Sequence, residues 1–552
     1  MYKIKNSFII VLTLILTLVL SCKDLDELNI NPNGVDPEQA DLNLLMATII
    51  TGVSKSVVDL GYGDIAGVMQ HTQKDGWSGG HNDYDWDINS KSWAGYYGQL
   101  RNIDEFYNKS VDSELDFHKG VALVLEAYTF GFIADLWGDA PYSAALNGEA
   151  GGEENLKPVF DAQKDIYLGI LADLETANTL LSQDVNAYSG IVPSQDVLYG
   201  GNVSKWRKFA NSLALRYYMR LSEKEPGIAE QGINNITSNP DIYPLITDAS
   251  DDANVSYIGT SPSDSWPTNT VFDQSTTGSY FRVKMCATLV EAMQALNDPR
   301  LAIWANKIEY ALVLEPGWED DRDEIIGNER HFAQNIEDDY VAAWNNALNY
   351  DPEWVGIPPS LSGAPQYNLN PYLEQAVYNP HVSQLNDIYK ETSGPLLLSR
   401  MMSASEVHFI LSEAALKGWD SGDAETHYNA GVQQSLNAWG VGSFYNDYIA
   451  GAPFAGLEEI IEQKWIASWT AAAESWFDYR RTGLPDLQTG ETAKRQALPL
   501  RFYYHMNDEI SLNQVNADAA IELLETTSFA APDSKNSAWS KMWVLQGTGL
   551  PY

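Results

Sequence analysis

Residues 403–439 restrict the fold more than any other stretch, because they spell two short helices folded back on each other. Ser403-x-x-Glu406 has the form of a capping box, Val407, Ile410, Leu411 and Ala414 follow at three- and four-residue spacing, and Gly418 ends the run. Asp423 then opens a second run through Ala424, His427, Tyr428, Gly431 and Val432. Two helices of this size, with small residues where they cross, fill about 34 residues and match a tetratricopeptide unit, the other reading being a plain antiparallel helix pair.

The same periodicity recurs. Val121, Leu125, Tyr128 and Phe132 make one stripe, and Trp206, Phe209, Leu213, Tyr217 and Arg220 trace another that ends in a cation. Residues 158–182 and 203–222 have the lengths of a second pair. The expectation is a mainly α chain on a tetratricopeptide-like helical repeat scaffold. Polar, aromatic, Gly/Pro-rich intervals at 71–98, 183–203, 235–281 and 311–371 separate the helical blocks, and loops of that length are usually functional.

At the N-terminus, Lys3 and Lys5 precede an apolar run from Phe8 to Leu20, which ends in Val19-Leu20-Ser21-Cys22. This has the layout of a secretory leader, and its last four residues resemble a bacterial lipobox. Residues 1–21 then form a lipoprotein signal peptide, and Cys22 carries the lipid as the first residue of a chain running from 22 to 552. The run is shorter than the roughly 20 apolar residues of a comfortable span, and no other segment is expected to cross a membrane. Lys23-Asp24-Leu25-Asp26-Glu27 resembles an export signal that sends lipoproteins to the outer surface, and also reads as a solvated linker.

With 34 Lys and Arg against 75 Asp and Glu, loss of the leader's two lysines leaves 32 minus 75, a net charge of −43. Phosphate backbones bind through lysine and arginine, so nucleic acid is excluded as a partner. The chain has only two cysteines. With Cys22 taken by lipid, Cys286 has no intrachain partner, and the fold rests on packing without disulfides.

No catalytic signature stands out. The eight histidines include no His-Glu-x-x-His, and there is no phosphate-binding Gly-x-x-x-x-Gly-Lys loop. Asp248-x-Ser250-x-Asp252-x-Asn254 alternates oxygen donors, but Ala253 stands where a calcium loop needs glycine, so it reads as a surface loop. No catalytic residue, metal or cofactor is assigned. A glycosidase needs only two suitably spaced carboxylates, which sequence cannot locate, so a helical glycoside hydrolase remains an alternative.

The positive signal is aromatic. Trp77, Tyr84, Trp86 and Trp93 cluster with His81, Asn82, Asp83 and Asp85. Trp266 and Phe272 lie in a second interval, and Trp354 and Tyr367 in a third. Sugars offer CH-rich faces and hydroxyl edges, which suit exposed aromatic rings flanked by Asp, Asn and Arg. Trp77, Asn82, Tyr84, Trp86, Trp266, Phe272, Trp354 and Tyr367 are therefore the candidate ligand-binding residues. The competing reading makes the rings apolar latches between loop and scaffold. Trp206, Trp465 and Trp476 fall on helical stripes and belong to the core.

Several segments, in order, resemble the SusD/RagB family of nutrient-binding outer-membrane lipoproteins. They are Leu28-Asn29-Ile30-Asn31-Pro32-Asn33, Leu136-Trp137-Gly138-Asp139-Ala140-Pro141-Tyr142, Lys205 to Arg216, Asn297-Asp298-Pro299-Arg300-Leu301, Glu462-Gln463-Lys464-Trp465, Trp476 to Pro485, and Pro499 to Tyr503. The roles read from the residues are structural: Gly138 ends a helix, and Arg480 and Arg481 favour a helix C-terminus and pair with acids, or else form an anion site. The resemblance implies a SusD-like fold with ligand-binding loops, and a lipid-anchored outer-membrane protein facing the cell exterior. It implies capture of a glycan or oligosaccharide and delivery to a SusC-like TonB-dependent transporter, without catalysis. Peptide capture and a purely structural helical scaffold are the further alternatives.

Overall fold

The computed structural model describes residues 41–275, 279–372 and 378–552. The leader, Cys22, the acidic run Lys23 to Glu27 and the Leu28 to Asn33 motif lie outside the described residues.

Two helical blocks frame the chain. The first holds α1 (Leu42–Gly61), α2 (Ala94–Asp112), α3 (Asp116–Trp137), α4 (Gln163–Leu180), α5 (Val203–Arg220) and α6 (Pro226–Ser238), and the second α7 (Ala404–Leu416), α8 (Ala424–Ala438), α9 (Leu457–Ala467) and α10 (Ala473–Thr482). Consecutive helices pack as antiparallel neighbours, α3 lying between α2 and α4, α5 against α4 and α6, and α7 against α8. The mainly α, tetratricopeptide-like arrangement expected from the sequence is the one adopted.

Local chemistry sets the boundaries. Asp41 caps α1 by accepting from the Asn43 and Leu44 amides at 2.9 and 3.2 Å, and Asp423 caps α8 by accepting from Thr426. The small residue expected at the α7–α8 crossing is Gly431, where a Cβ would meet the Phe409 ring within 3.0 Å. The capping box forms only half-way. The Ser403 hydroxyl accepts from the Glu406 amide at 3.2 Å, but the Glu406 carboxylate does not return to the Ser403 amide. It takes two hydrogen bonds from Arg216, both 2.7 Å, a charge-assisted bidentate pair stronger than a bond to a neutral amide.

Residues 253–402 carry most of the strands. Antiparallel ladders join β1 (Thr72–Lys74) to β3 (Val283–Met285) and β2 (Ala253–Ser256) to β7 (Leu398–Met402). A three-stranded sheet, absent from the sequence reading, runs β4 (Ala311–Glu315), β6 (Glu329–Ala333), β5 (Asp323–Ile326), with β4 and β6 parallel. Cys286 follows β3 and is buried, which pushes its thiol up to about 12.

Two described helices have the length and hydropathy of a membrane span, against the sequence expectation that none outside the leader would. Asp116–Trp137 is one, and 94% of its most apolar window is covered by the protein, so its apolarity serves the core. The Val121 to Phe132 stripe accordingly understates α3, which is buried almost all round.

Charge also lies inside the bundle. Arg216 of α5 bridges Glu406 of α7 and Glu474 of α10, and Arg220 bridges Asp135 of α3 and Glu474. Arg480 donates to the Asp135 and Leu500 carbonyls at 2.6 and 2.7 Å. Arg481 pairs with Glu413 and Asp478, and Lys464 reaches Asp478 at 2.7 Å. The pair of arginines at the end of α10 is thus consumed inside the protein, the structural reading over the anion site. Five cations meet five carboxylates, all largely buried. Removing one partner of a buried pair typically costs about 3–5 kcal/mol, because the other charge stays desolvated. Glu413→Ala should destabilise the protein by that amount in urea titrations. The Lys464 and Arg481 cations hold the Asp478 carboxyl far below its usual range despite burial. Its stabilising share is therefore present above the ordinary aspartate pKa and lost as the pH falls through the depressed folded value. Asp478→Asn should flatten that part of the acid-denaturation curve.

Candidate functional site

The β1–β3 ladder, which pairs Lys74 with Val283, brings the 71–98 and 265–283 segments to one place. There they flank a cleft of about 200 Å³ lined by Asp59, Tyr62, Lys74, Thr268, Ser279 and Arg282, among others. Trp77 stands at this edge with 65% of its surface exposed, and the Arg282 guanidinium lies 4.3 Å from its ring centre. Its φ of +48° places it in the left-handed region that a tight turn needs. Burial, then the charges of Arg282 and Lys91, lower the Lys74 ammonium pKa against the pull of Asp64. Burial likewise raises the Asp59 carboxyl. The cleft thus offers an aromatic platform with hydroxyl, ammonium, guanidinium and carboxyl groups beside it, the set that a polyhydroxylated ligand requires.

The eight candidate residues divide by burial. Trp77 and Phe272 are exposed, and Trp354 is half-buried with the Lys307 ammonium 5.8 Å from its ring. Asn82, Tyr84, Trp86, Trp266 and Tyr367 are buried. Asn82 closes the loop on itself, accepting from the Lys74 amide at 2.8 Å and donating to the Lys74 carbonyl at 2.7 Å. Trp86 donates to the Gly80 carbonyl at 2.7 Å and packs edge-on against Trp476 and Phe502. Trp266 sits among Tyr62, Tyr257 and Tyr389, with ring centres 5.0 to 5.8 Å away, and donates to Thr268. Tyr367 belongs to a small apolar cluster with Val355, Ile357, Ala364 and Val382. These five rings and amides shape and anchor the loops, as latches do. In this conformation they offer a ligand no face, because neighbouring side chains already occupy it.

Residues that the sequence reading passed over lie on a second part of the surface. Tyr378 donates to Glu309 at 2.6 Å, and Tyr372 and Tyr378 are exposed. The segment Asn306 to Tyr310 runs beside them, its amides bonded to the Gln384, Glu353 and Pro380 carbonyls. The available signal was the Tyr- and Asn-Pro-rich stretch 367–380, in which only Tyr367 was singled out. Asp252, read as part of a surface loop, is buried and accepts from the Ala404 amide at 2.7 Å.

A family model described as SusD-like, starch-binding associating with outer membrane, matches residues 35–505. No curated protein matches the sequence. Among solved structures, a chitin-binding protein superposes with a TM-score of 0.69 at 21% identity, over 91% of this chain and 98% of that one. A SusD homologue from Bacteroides fragilis gives 0.67 at 21%, over 92% and 99%. A chitin-binding SusD homologue from Flavobacterium johnsoniae gives 0.65 at 18%, over 91% and 99%.

The division between latch and platform is measurable. Trp266→Ala should cost about 3–5 kcal/mol, the usual loss for a large buried aromatic. Trp77→Ala should stay within about 0.5 kcal/mol of the parent, as exposed substitutions do. Chemical denaturation of the two variants checks both.

Proposed function

The chain belongs to the SusD-like family of outer-membrane-associated binding proteins, and from that premise we propose that it is a lipid-anchored protein that captures a glycan or oligosaccharide and delivers it to a partner SusC-like TonB-dependent transporter. Cys22 is the proposed lipid attachment site, residues 22–552 the exported protein, and the cell exterior the side it faces. The observation that carries the ligand class is the exposed Trp77 ring over Arg282 beside the cleft of Asp59, Lys74, Thr268 and Ser279. A ring face with polar groups at its edge stacks on the CH face of a pyranose while bonding its hydroxyls. Among the described cleft residues Asp59 is the one carboxylate, whereas glycoside hydrolysis in most families uses two. This favours capture over cleavage. Two of the similar structures are named for chitin binding, which makes chitin oligosaccharides the first ligands to try.

Native gels cast with starch, chitin oligosaccharides and other soluble glycans should retard the purified chain with at least one of them. Trp77→Ala should weaken that binding by about tenfold or more, as loss of an anchoring aromatic does. Retardation by no glycan, or release of shortened products, overturns the reading. In a bacterial host, labelled fatty acid should enter the wild type and be absent from Cys22→Ser.

A further inference from the structure

The α7–α8 hairpin contains a pair of histidines whose hydrogen bonds cannot all be satisfied by neutral rings. His408 on α7 faces the Thr247 carbonyl through Nε2 at 3.1 Å, and His427 on α8 faces the Ser421 carbonyl through Nε2 at 2.8 Å. A carbonyl oxygen only accepts, so each Nε2 must carry a hydrogen. A neutral imidazole has one N–H, and with both placed at Nε2 each Nδ1 presents a bare lone pair. Yet the two Nδ1 atoms meet at 3.1 Å. The ring centres are 5.4 Å apart, which is that separation plus the two ring radii, so the lone pairs point straight at each other.

We propose that His408 and His427 form a one-proton site, in which a single hydrogen shared between the two Nδ1 atoms makes one ring imidazolium and bonds it to its neutral neighbour. With that proton every ring nitrogen has a partner. Without it two lone pairs collide, and with a second proton two N–H groups confront each other. A chelated metal ion would sit off the line between the nitrogens with the lone pairs converging on it, whereas here they are collinear. Among the described residues no third histidine, cysteine or carboxylate completes a metal site.

The surroundings do not supply the charge in another way. Asp423 is the carboxylate that acts on His427, and it already accepts from Thr426. On the turn Ala249–Asp251, which packs on both helices, Asp251 is paired with Lys205 and Lys208, and Asp248 accepts from Ser250. Burial lowers the pKa of each ring taken singly, and the neighbouring ring lowers that of His408 further. That is the reason the second proton is rejected. The first is retained because the charge-assisted N–H···N bond replaces a repulsion. The site ties three parts of the chain, with Thr247, shortly before β2, fixed to one helix and the Ser421 turn to the other.

Retention of the first proton raises its folded pKa, so that share of stability is lost as the pH rises through it. Rejection of the second depresses its folded pKa, so stability is also lost as the pH falls through that value. Local stability should therefore peak between the two steps.

Long-range ¹H–¹⁵N spectra of the exported chain, labelled at histidine, test the proposal. Between about pH 6 and 7, both Nε2 atoms should appear protonated and both Nδ1 atoms half-protonated. His427→Gln keeps a donor for the His408 Nδ1 and should leave His408 as an ordinary neutral ring. It should also bind one proton fewer than wild type in this range, and should abolish the peak in hydrogen-exchange protection of α7 and α8 with pH. Two fully bare Nδ1 atoms in the wild type, or one ring turned so that its Nδ1 carries its only hydrogen, overturns the shared proton. The outcome is independent of whether any glycan binds.

Discussion

The bundle depends on a balance of charge placed where water cannot reach it. Asp135, Arg216, Arg220, Glu406, Glu413, Lys464, Glu474, Asp478, Arg480 and Arg481 come from five helices in both blocks and meet with five charges of each sign. Taking such ions out of water costs several kcal/mol each, and the cost is offset only if every partner arrives in place. Apolar side chains tolerate many packings, whereas a bidentate guanidinium–carboxylate pair tolerates few. The network therefore specifies one mutual arrangement of α3, α5, α7, α9 and α10. Phe477 reinforces it, with the Arg220 and Arg480 guanidiniums 4.7 and 4.5 Å from its ring centre.

A scaffold fixed in this way can carry a long, irregular insert. The loops are secured in turn by buried aromatic side chains. Trp86 inserts against Trp476 and Phe502, which belong to the second helical block and its C-terminal extension, and Trp266 closes on Tyr62 and Tyr389. With those rings occupied, Trp77 is left free to face outward. The exposed platform thus follows from the latches, because a loop without buried anchors would lack a fixed surface to present.

Much of the scaffold was legible in the sequence. The α7–α8 hairpin, its Ser403 and Asp423 caps and the small residue at its crossing follow from local chemistry within a few residues of chain. The site was legible only as a set of loops. Trp77 and Trp86 sit nine residues apart in one polar, aromatic stretch, and nothing local separates the ring that is 65% exposed from the one that is 1% exposed. What separates them is Trp476 and Phe502, some 400 residues away in sequence. Tyr372 and Tyr378 were missed for the converse reason: their setting is created by Asn306 to Tyr310, a segment with no pattern of its own.

Sequence by itself determined the helical class, the division into helical blocks and long loops, and the family, since periodicity, caps and ordered motifs are properties of adjacent residues. It also supplied the two arginines at the end of α10, read as helix-end cations that pair with acids, with an anion site as the alternative. Tertiary structure decided that they are buried counter-ions, that Glu406 serves Arg216 rather than its own helix cap, and which aromatic rings reach solvent. It also brought His408 and His427 head to head across a turn. Each of these outcomes depends on which desolvated group meets which partner, and that is set by the packing of distant segments.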